Sequence, residues 1–377
     1  MSDKPAIHGT TAPGFEPVRD AFAANWQTGN EIGAAFALMI DGETVVDLWG
    51  GWADRKKTLP WTEDTIVPVF STGKAVTAMV MAKLVSDGTI DYDAPVADYW
   101  PEFARAGKDR VTVAEALSHQ AGLAGFPEPM EPGDWFDRDF IEDRLAAMHP
   151  LWVPGQGSGY HPLTHGFIAD AIARRMTGRT IGGHLREDIA GPRCIDFRIG
   201  TPESEHSRTA EHVLPPRPPF LGKMNDIKAA AFLKPWSSPG RRGAAEWRMA
   251  EFPAANGHGT ARAIAELLSP FARAGKLRDT QLIAPDVVEA AMRERVSGPD
   301  RVLPFDLAYG AGILINRDLG HLGPEPKAVG QYGFGGSCGF ADPVRGISGS
   351  YVMNRQMDVL SGDPRAMALI EAAYGCL

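Results

Sequence analysis

Apolar and polar positions follow two different rhythms along this chain, and the rhythm changes at residue 71. Before it, Ala34-Ala35-Phe36-Ala37-Leu38-Met39-Ile40 and Thr44-Val45-Val46-Asp47-Leu48-Trp49 form two β-prone runs either side of Asp41-Gly42. Asp-Gly favours the tight type I′ turn, so residues 33–49 are predicted to form a β-hairpin. From Ser71 to Ser86 the pattern turns helical, with Lys74 and Lys83 as the only charges and apolar residues on every side. A helix that is apolar all round is a buried one. Gly88 supplies its stop.

Residues 89–250 read as helix and loop, rich in proline and glycine, without clear alternation. Amphipathic helices are predicted over about 164–176, with Phe167, Ile168, Ala171 and Ile172 on one face, and over about 260–274. Lys234-Pro235-Trp236-Ser237-Ser238-Pro239-Gly240 reads as an irregular loop. Strand character returns at residues 311–315 and 349–353. A closing helix has Asp363 as cap, Pro364 at its first position and Met367, Ile370 and Tyr374 at helical spacing. Strands near both ends with helices between predict an α/β (α+β) fold. Residues 1–72 and 295–377 would form a sheet domain, residues 73–294 a mainly helical one, with a cleft between.

Composition narrows the function classes. The 377 residues are 44% hydrophobic and 23% charged, as in ordinary globular proteins, and carry a net charge of −9. That balance argues against general affinity for nucleic acid or anionic membrane. No apolar run approaches the roughly 20 residues that span a bilayer. Cys194, Cys338 and Cys376 are too few for a disulfide framework or a zinc site. The first residues lack the apolar core of a secretory signal, so a reducing, cytoplasmic setting is expected. Nothing calls for a metal or a cofactor.

The chemistry concentrates in three places. Ser71-Thr72-Gly73-Lys74 is a Ser-x-x-Lys at the mouth of the buried helix, where residues three apart share a face, so Lys74 stands beside the Ser71 hydroxyl. A lysine in apolar surroundings has a depressed pKa and can handle protons. The second place is Tyr160, presented by the tight loop Val153-Pro154-Gly155-Gln156-Gly157-Ser158-Gly159. Its phenolate would need a neighbouring cation, which Lys74 could provide. The third is Tyr332-Gly333-Phe334-Gly335-Gly336-Ser337-Cys338, whose glycines let backbone approach a ligand. The Ser337 N–H there, opposite the Ser71 N–H, is a candidate oxyanion hole.

Taken together, these segments resemble the three motifs of class C β-lactamases and penicillin-binding proteins. Leu117-Ser118-His119-Gln120-Ala121-Gly122-Leu123, Asn256-Gly257-His258-Gly259-Thr260-Ala261-Arg262 and Gly339-Phe340-Ala341-Asp342-Pro343 add to the likeness, which runs from about residue 30 to the C-terminus. Within that superfamily the chain is similar to the family VIII carboxylesterases. The resemblance implies a serine β-lactamase-like fold: an antiparallel sheet flanked by terminal helices, with an all-α insertion. It also implies Ser71 as nucleophile, Lys74 and Tyr160 as general-base pair, and Phe334, Gly336 and Ser337 on the substrate-binding strand. Two departures favour esters. Pro162 stands where the lactamase pattern has Asn, and Phe334-Gly335-Gly336 replaces Lys-Thr-Gly, which removes the cation that meets a lactam carboxylate. The substrate expected is a small, short-chain ester. A β-lactam or D-peptide hydrolase and a non-turnover acylated sensor are the alternatives.

Two other patterns carry less. Gly335-Gly336-Ser337-Cys338-Gly339 matches the Gly-x-Ser-x-Gly elbow, but that fold needs a histidine after the serine and the last one is His321. His161-Pro162-Leu163-Thr164-His165 lacks the glutamate of a zinc-protease helix. Trp135, Trp152 and Trp236 are candidates for walling an apolar acyl pocket.

Overall fold

A computed structural model describes residues 5–377. Nine strands form one antiparallel sheet. Their order across it is Ile7–Thr11, Glu43–Gly51, Gly33–Ile40, Ile347–Met353, Cys338–Asp342, Val329–Tyr332, Leu314–Ile315, Asp306–Tyr309 and Val296–Pro299. All nine thus come from residues 7–51 and 296–353. The hairpin turn at Asp41-Gly42 has φ of 51° and 88°, the two left-handed positions that a type I′ turn requires.

Side chains alternate across the Gly33–Ile40 strand, and both faces are covered. Ala34, Phe36 and Leu38 pack in one cluster with Val18 and Phe22 of helix Glu16–Asn25 and Leu369 and Ile370 of helix Pro364–Gly375. Ala35, Ala37 and Met39 belong to a second cluster with Ile264 and Leu268 of helix Ala261–Ala272. The terminal helices therefore flank one face of the sheet. The other face meets helix Ala261–Ala272, from within the 73–294 span, so that span also contributes to the sheet layer.

Helix Gly73–Ser86 is buried from Gly73 to Ala82 and again at Leu84. It is packed by helices Thr164–Thr177, Ala261–Ala272 and Pro285–Met292 and by the Val329–Tyr332 strand. The Thr164–Thr177 helix is more enclosed than a one-faced pattern predicts: every residue from Thr164 to Ala173 is buried, because helices lie around it on several sides. The strand predicted at 311–315 shortens to Leu314–Ile315, since Gly312 takes φ of 90°. Strands Ile7–Thr11, Val296–Pro299, Asp306–Tyr309, Val329–Tyr332 and Cys338–Asp342 escaped the pattern. The last two are buried on both faces and so show no alternation. Among the described residues no helix is long and apolar enough to cross a membrane.

A buried ionic cluster ties the C-terminal helix to the sheet's upper edge. The Arg365 guanidinium donates to Asp363 Oδ2 (2.8 Å), Glu31 Oε1 (3.2 Å) and the carbonyls of Asn30 (2.9 Å), Arg355 (3.0 Å) and Gly335 (3.3 Å). Tyr351 donates its hydroxyl to Glu31. Burial pushes the Glu31 carboxyl up to about 7, against the opposing pull of Arg365. Removing one member of a buried ion pair strands its partner's charge. Asp363→Ala is therefore expected to cost roughly 3–5 kcal/mol of stability, read from the urea unfolding midpoint. A loss below about 1 kcal/mol, the scale of a surface pair, would contradict this account of the cluster.

Candidate active site

The turn that leads into the central helix is strained. Residues Phe70–Thr72 form a 3₁₀ turn, and Phe70 holds φ of 48°, a region that bulky side chains avoid. The surroundings over-determine it: the Phe70 ring packs against His212 (4.8 Å), Phe334 (6.0 Å) and Trp247 (6.2 Å). Ser71 is left half-buried at the helix mouth, with Lys74 one turn further along. Lys74 has no exposed surface. Its Nζ lies 3.2 Å from Ser71 Oγ, 2.8 Å from the Pro162 carbonyl oxygen and 3.0 Å from that of Ala254.

Burial pushes the Lys74 amine well below the ordinary lysine value of 10.5, and no neighbouring carboxylate opposes the shift. A neutral amine has two N–H bonds and one lone pair. Carbonyl oxygens can only accept, so the two carbonyls take the two hydrogens and the lone pair is left facing the Ser71 hydroxyl.

Tyr160 reaches the same spot from its glycine loop. Gly155 and Gly157 have φ of 78° and 86°, and a Cβ on Gly159 would come within 2.5 Å of the Trp152 ring. Asp300 fastens the loop from below. Its Oδ1 accepts the amides of Tyr160 (3.0 Å), Val302 and Leu303 (2.9 Å each), and its Oδ2 accepts the Ser158 hydroxyl (2.8 Å). The Tyr160 ring centroid is 4.7 Å from Lys74 Nζ. Burial raises its phenol above the ordinary value of 10, and a hydrogen bond with the Ser71 hydroxyl opposes the rise. Burial thus opposes the ammonium–phenolate pair expected from the motif, since it disfavours both charges and favours an amine beside a phenol.

Three histidines line the far side of Tyr160. His161 uses both ring nitrogens on backbone: Nδ1 bonds the Gly159 carbonyl (2.6 Å) and Nε2 accepts the Leu123 amide (2.9 Å). His119 Nδ1 accepts the His161 amide (3.1 Å), and the His165 Nε2 bonds the Leu117 carbonyl (3.2 Å). Burial lowers the pKa of all three, so they add no charge beside Lys74. Asp300 and His119 were not legible as site residues. His119 stands in the Leu117–Leu123 segment, but no spacing connects it to Tyr160, and Asp300 lies 140 residues away in sequence.

The third segment closes over Ser71. Ser337 is buried, and its hydroxyl is occupied, 2.8 Å from the Val69 carbonyl and 3.0 Å from Thr72 Oγ1. Its backbone is what remains. Among the described residues, neither the Ser71 amide nor the Ser337 amide finds a hydrogen-bond acceptor. Gly336 holds φ of 130°, and a Cβ there would meet Asp363 Oδ2 at 2.1 Å, so only glycine fits. Phe334 stands edge-on to Phe70, its carbonyl fixed by Gln356 Nε2 at 2.6 Å. Of the tryptophans, Trp135 and Trp236 are tied into the helical region through the Trp236 and Phe126 carbonyls, and Trp152 buttresses the Tyr160 loop. Trp247, not singled out from the sequence, is the one packed on Phe70.

Known proteins share this arrangement of chain. The Beta-lactamase family profile matches residues 18–374. The chain is 35% identical over 376 residues to "Esterase/beta-lactamase LipL" of Mycobacterium tuberculosis, covering 94% of this chain and 84% of that one. Among solved structures, a penicillin-binding protein homologue from Caulobacter crescentus superposes with a TM-score of 0.97 at 52% identity, covering 99% of this chain and all of the other. A family VIII carboxylesterase superposes with a TM-score of 0.93 at 42% identity and the same coverage.

The buried Ser337 hydroxyl, held by Val69 and Thr72, and the half-buried Ser71 hydroxyl beside Lys74 and Tyr160 give different expectations for a serine-directed fluorophosphonate. Ser71→Ala should abolish covalent labelling, and Ser337→Ala should keep it. Labelling that survives Ser71→Ala and disappears in Ser337→Ala would reverse the assignment.

Proposed function

The chain belongs to the beta-lactamase family of esterase- and lactamase-like serine hydrolases, and we propose that within it this enzyme cleaves short-chain carboxylic esters through an acyl-enzyme on Ser71. The free state of Cys194, Cys338 and Cys376 suits work in a reducing cytoplasm. The observation that carries the mechanism is the set of three Lys74 partners, two of which can only accept hydrogens.

Ser71 passes its proton to the Lys74 amine as Oγ bonds the ester carbonyl carbon. The carbonyl oxygen takes up the negative charge and accepts the free N–H groups of Ser71 and Ser337. On collapse, the bond to the alcohol oxygen breaks. Tyr160 gives that oxygen its phenolic proton and is reprotonated by the Lys74 ammonium. Water then attacks the acyl-enzyme, its proton passing back through Tyr160 to the amine. The acid leaves and Ser71 regains its proton from Lys74. Phenol and amine thus work as a relay rather than as rival bases.

The second reading, a β-lactam or D-peptide hydrolase, is favoured by the name of the Caulobacter homologue. Against it stand Phe334 and Pro162. Phe334 presents a ring where Lys-Thr-Gly presents a cation, and the Pro162 carbonyl is engaged by Lys74. Losing one charge-assisted hydrogen bond costs roughly 1.5–3 kcal/mol, or about one to two powers of ten in recognition. A butyrate ester is therefore expected to show kcat/KM far above that of a cephalosporin. Equal or reversed values would restore the lactamase reading.

The active form of Lys74 is the deprotonated one. Activity should hold above its lowered pKa and fall away as the pH drops through it, well below 10.5. Lys74→Arg keeps a guanidinium charged throughout and should lose about 10²–10⁴-fold in rate. A pH–rate profile that rises only near 10.5, as for an ordinary lysine, would contradict the role of the buried amine.

A further inference from the structure

The aromatic pair next to Ser71 carries a cation that the reaction above leaves idle. Arg242 follows the Pro239-Gly240 loop, and its guanidinium lies 5.4 Å over the Phe334 ring. Phe334 stands edge-on to Phe70, which directly precedes Ser71. The guanidinium therefore lies against the aromatic pair that packs on the Ser71 turn. Arg242 is exposed to solvent.

Some arginines of the chain are held by carboxylates. Arg262 pairs with Asp47, Arg278 with Glu266 and Arg317 with Glu294. Among the described residues no carboxylate pairs with Arg242, and burial alone acts on its ionisation. His212, packed on Phe70, is pushed down to about 4 by burial and by the positive charge of Arg242. It is neutral at pH 7 and offsets nothing. A positive charge without a carboxylate partner thus lies over the Phe334 ring, and an anionic substrate would neutralise it.

Resting on the ester-hydrolase reading of Ser71, we propose that Arg242 is a specificity-determining residue and that the preferred substrates are esters bearing a carboxylate. A guanidinium matches a carboxylate in a two-pronged hydrogen bond. Phe334 itself stands at the strand position where lactamases place their cation, and Arg242 lies over its ring, a different place. Arg242 therefore serves an acid at the end of a flexible chain rather than one fixed close to a lactam ring.

The test compares monoethyl glutarate with ethyl valerate, a pair of similar length that differs in the terminal carboxylate, by pH-stat at neutral pH. The wild-type enzyme is expected to favour the half-ester by about tenfold or more in kcat/KM, the scale of one charge-assisted hydrogen bond. Arg242→Ala should lower that selectivity ratio by a similar factor, Arg242→Lys by less and Arg242→Glu by more. Added sodium chloride should raise KM for the half-ester in particular. Valerate turnover with an unchanged ratio in Arg242→Ala would overturn the role of Arg242 and leave the esterase reading standing. Turnover of neither ester by the wild-type enzyme would overturn both.

Discussion

The Lys74 amine, buried without a counter-ion and shared among three oxygens, is the interaction on which the rest of the site depends. Those oxygens belong to three separate stretches of chain: Ser71 on its own turn, Pro162 just beyond the Tyr160 loop, and Ala254 in the connection that precedes helix Ala261–Ala272. One nitrogen therefore ties together the Ser71 turn, the end of the Tyr160 loop and the stretch at Ala254. The same burial determines the protonation pattern. A charged lysine here would need a carboxylate partner, and the chain offers carbonyls and neutral histidines instead.

Around that amine the fold supplies rigid supports of different kinds. Asp300 spends its carboxylate on the backbone of the Tyr160 loop and so fixes where the phenol points. Arg365 and Asp363 sit beneath Gly335 and Gly336, so the terminal helix holds the strand turn that presents the Ser337 amide. Phe70 absorbs the backbone strain of the turn at Ser71 through its aromatic neighbours. The strain persists because packing around the ring leaves it no easier conformation. Substrate choice is what we assign to the Phe334 ring and the loop that carries Arg242.

Much of this arrangement was legible in the sequence wherever a local pattern carried it. The Asp41-Gly42 hairpin, the buried helix after Ser71 and the Asp363-Pro364 helix start each rest on neighbouring residues, and each formed as read. Strands Val329–Tyr332 and Cys338–Asp342 were not legible, because burial on both faces erases the period-2 signal. Ser71 and Lys74 could be paired from their spacing alone. The supports could not: Asp300 reaches Tyr160, Arg365 reaches Gly335 and His119 reaches His161 only through tertiary folding. The neutral state of Tyr160 was likewise hidden, since burial is a property of the packed chain and not of the motif.

The claim that Lys74 rests as a neutral amine can be measured without any substrate. Lysine labelled at Cε, with the Lys74 signal assigned by its loss in Lys74→Arg, reports ionisation directly through its NMR shift as the pH is changed. The account predicts a single titration step well below 10.5, with the neutral amine established at the pH where the enzyme works. An ammonium signal that persists until the ordinary lysine range would contradict it, and with it the assignment of Lys74 as the base that activates Ser71.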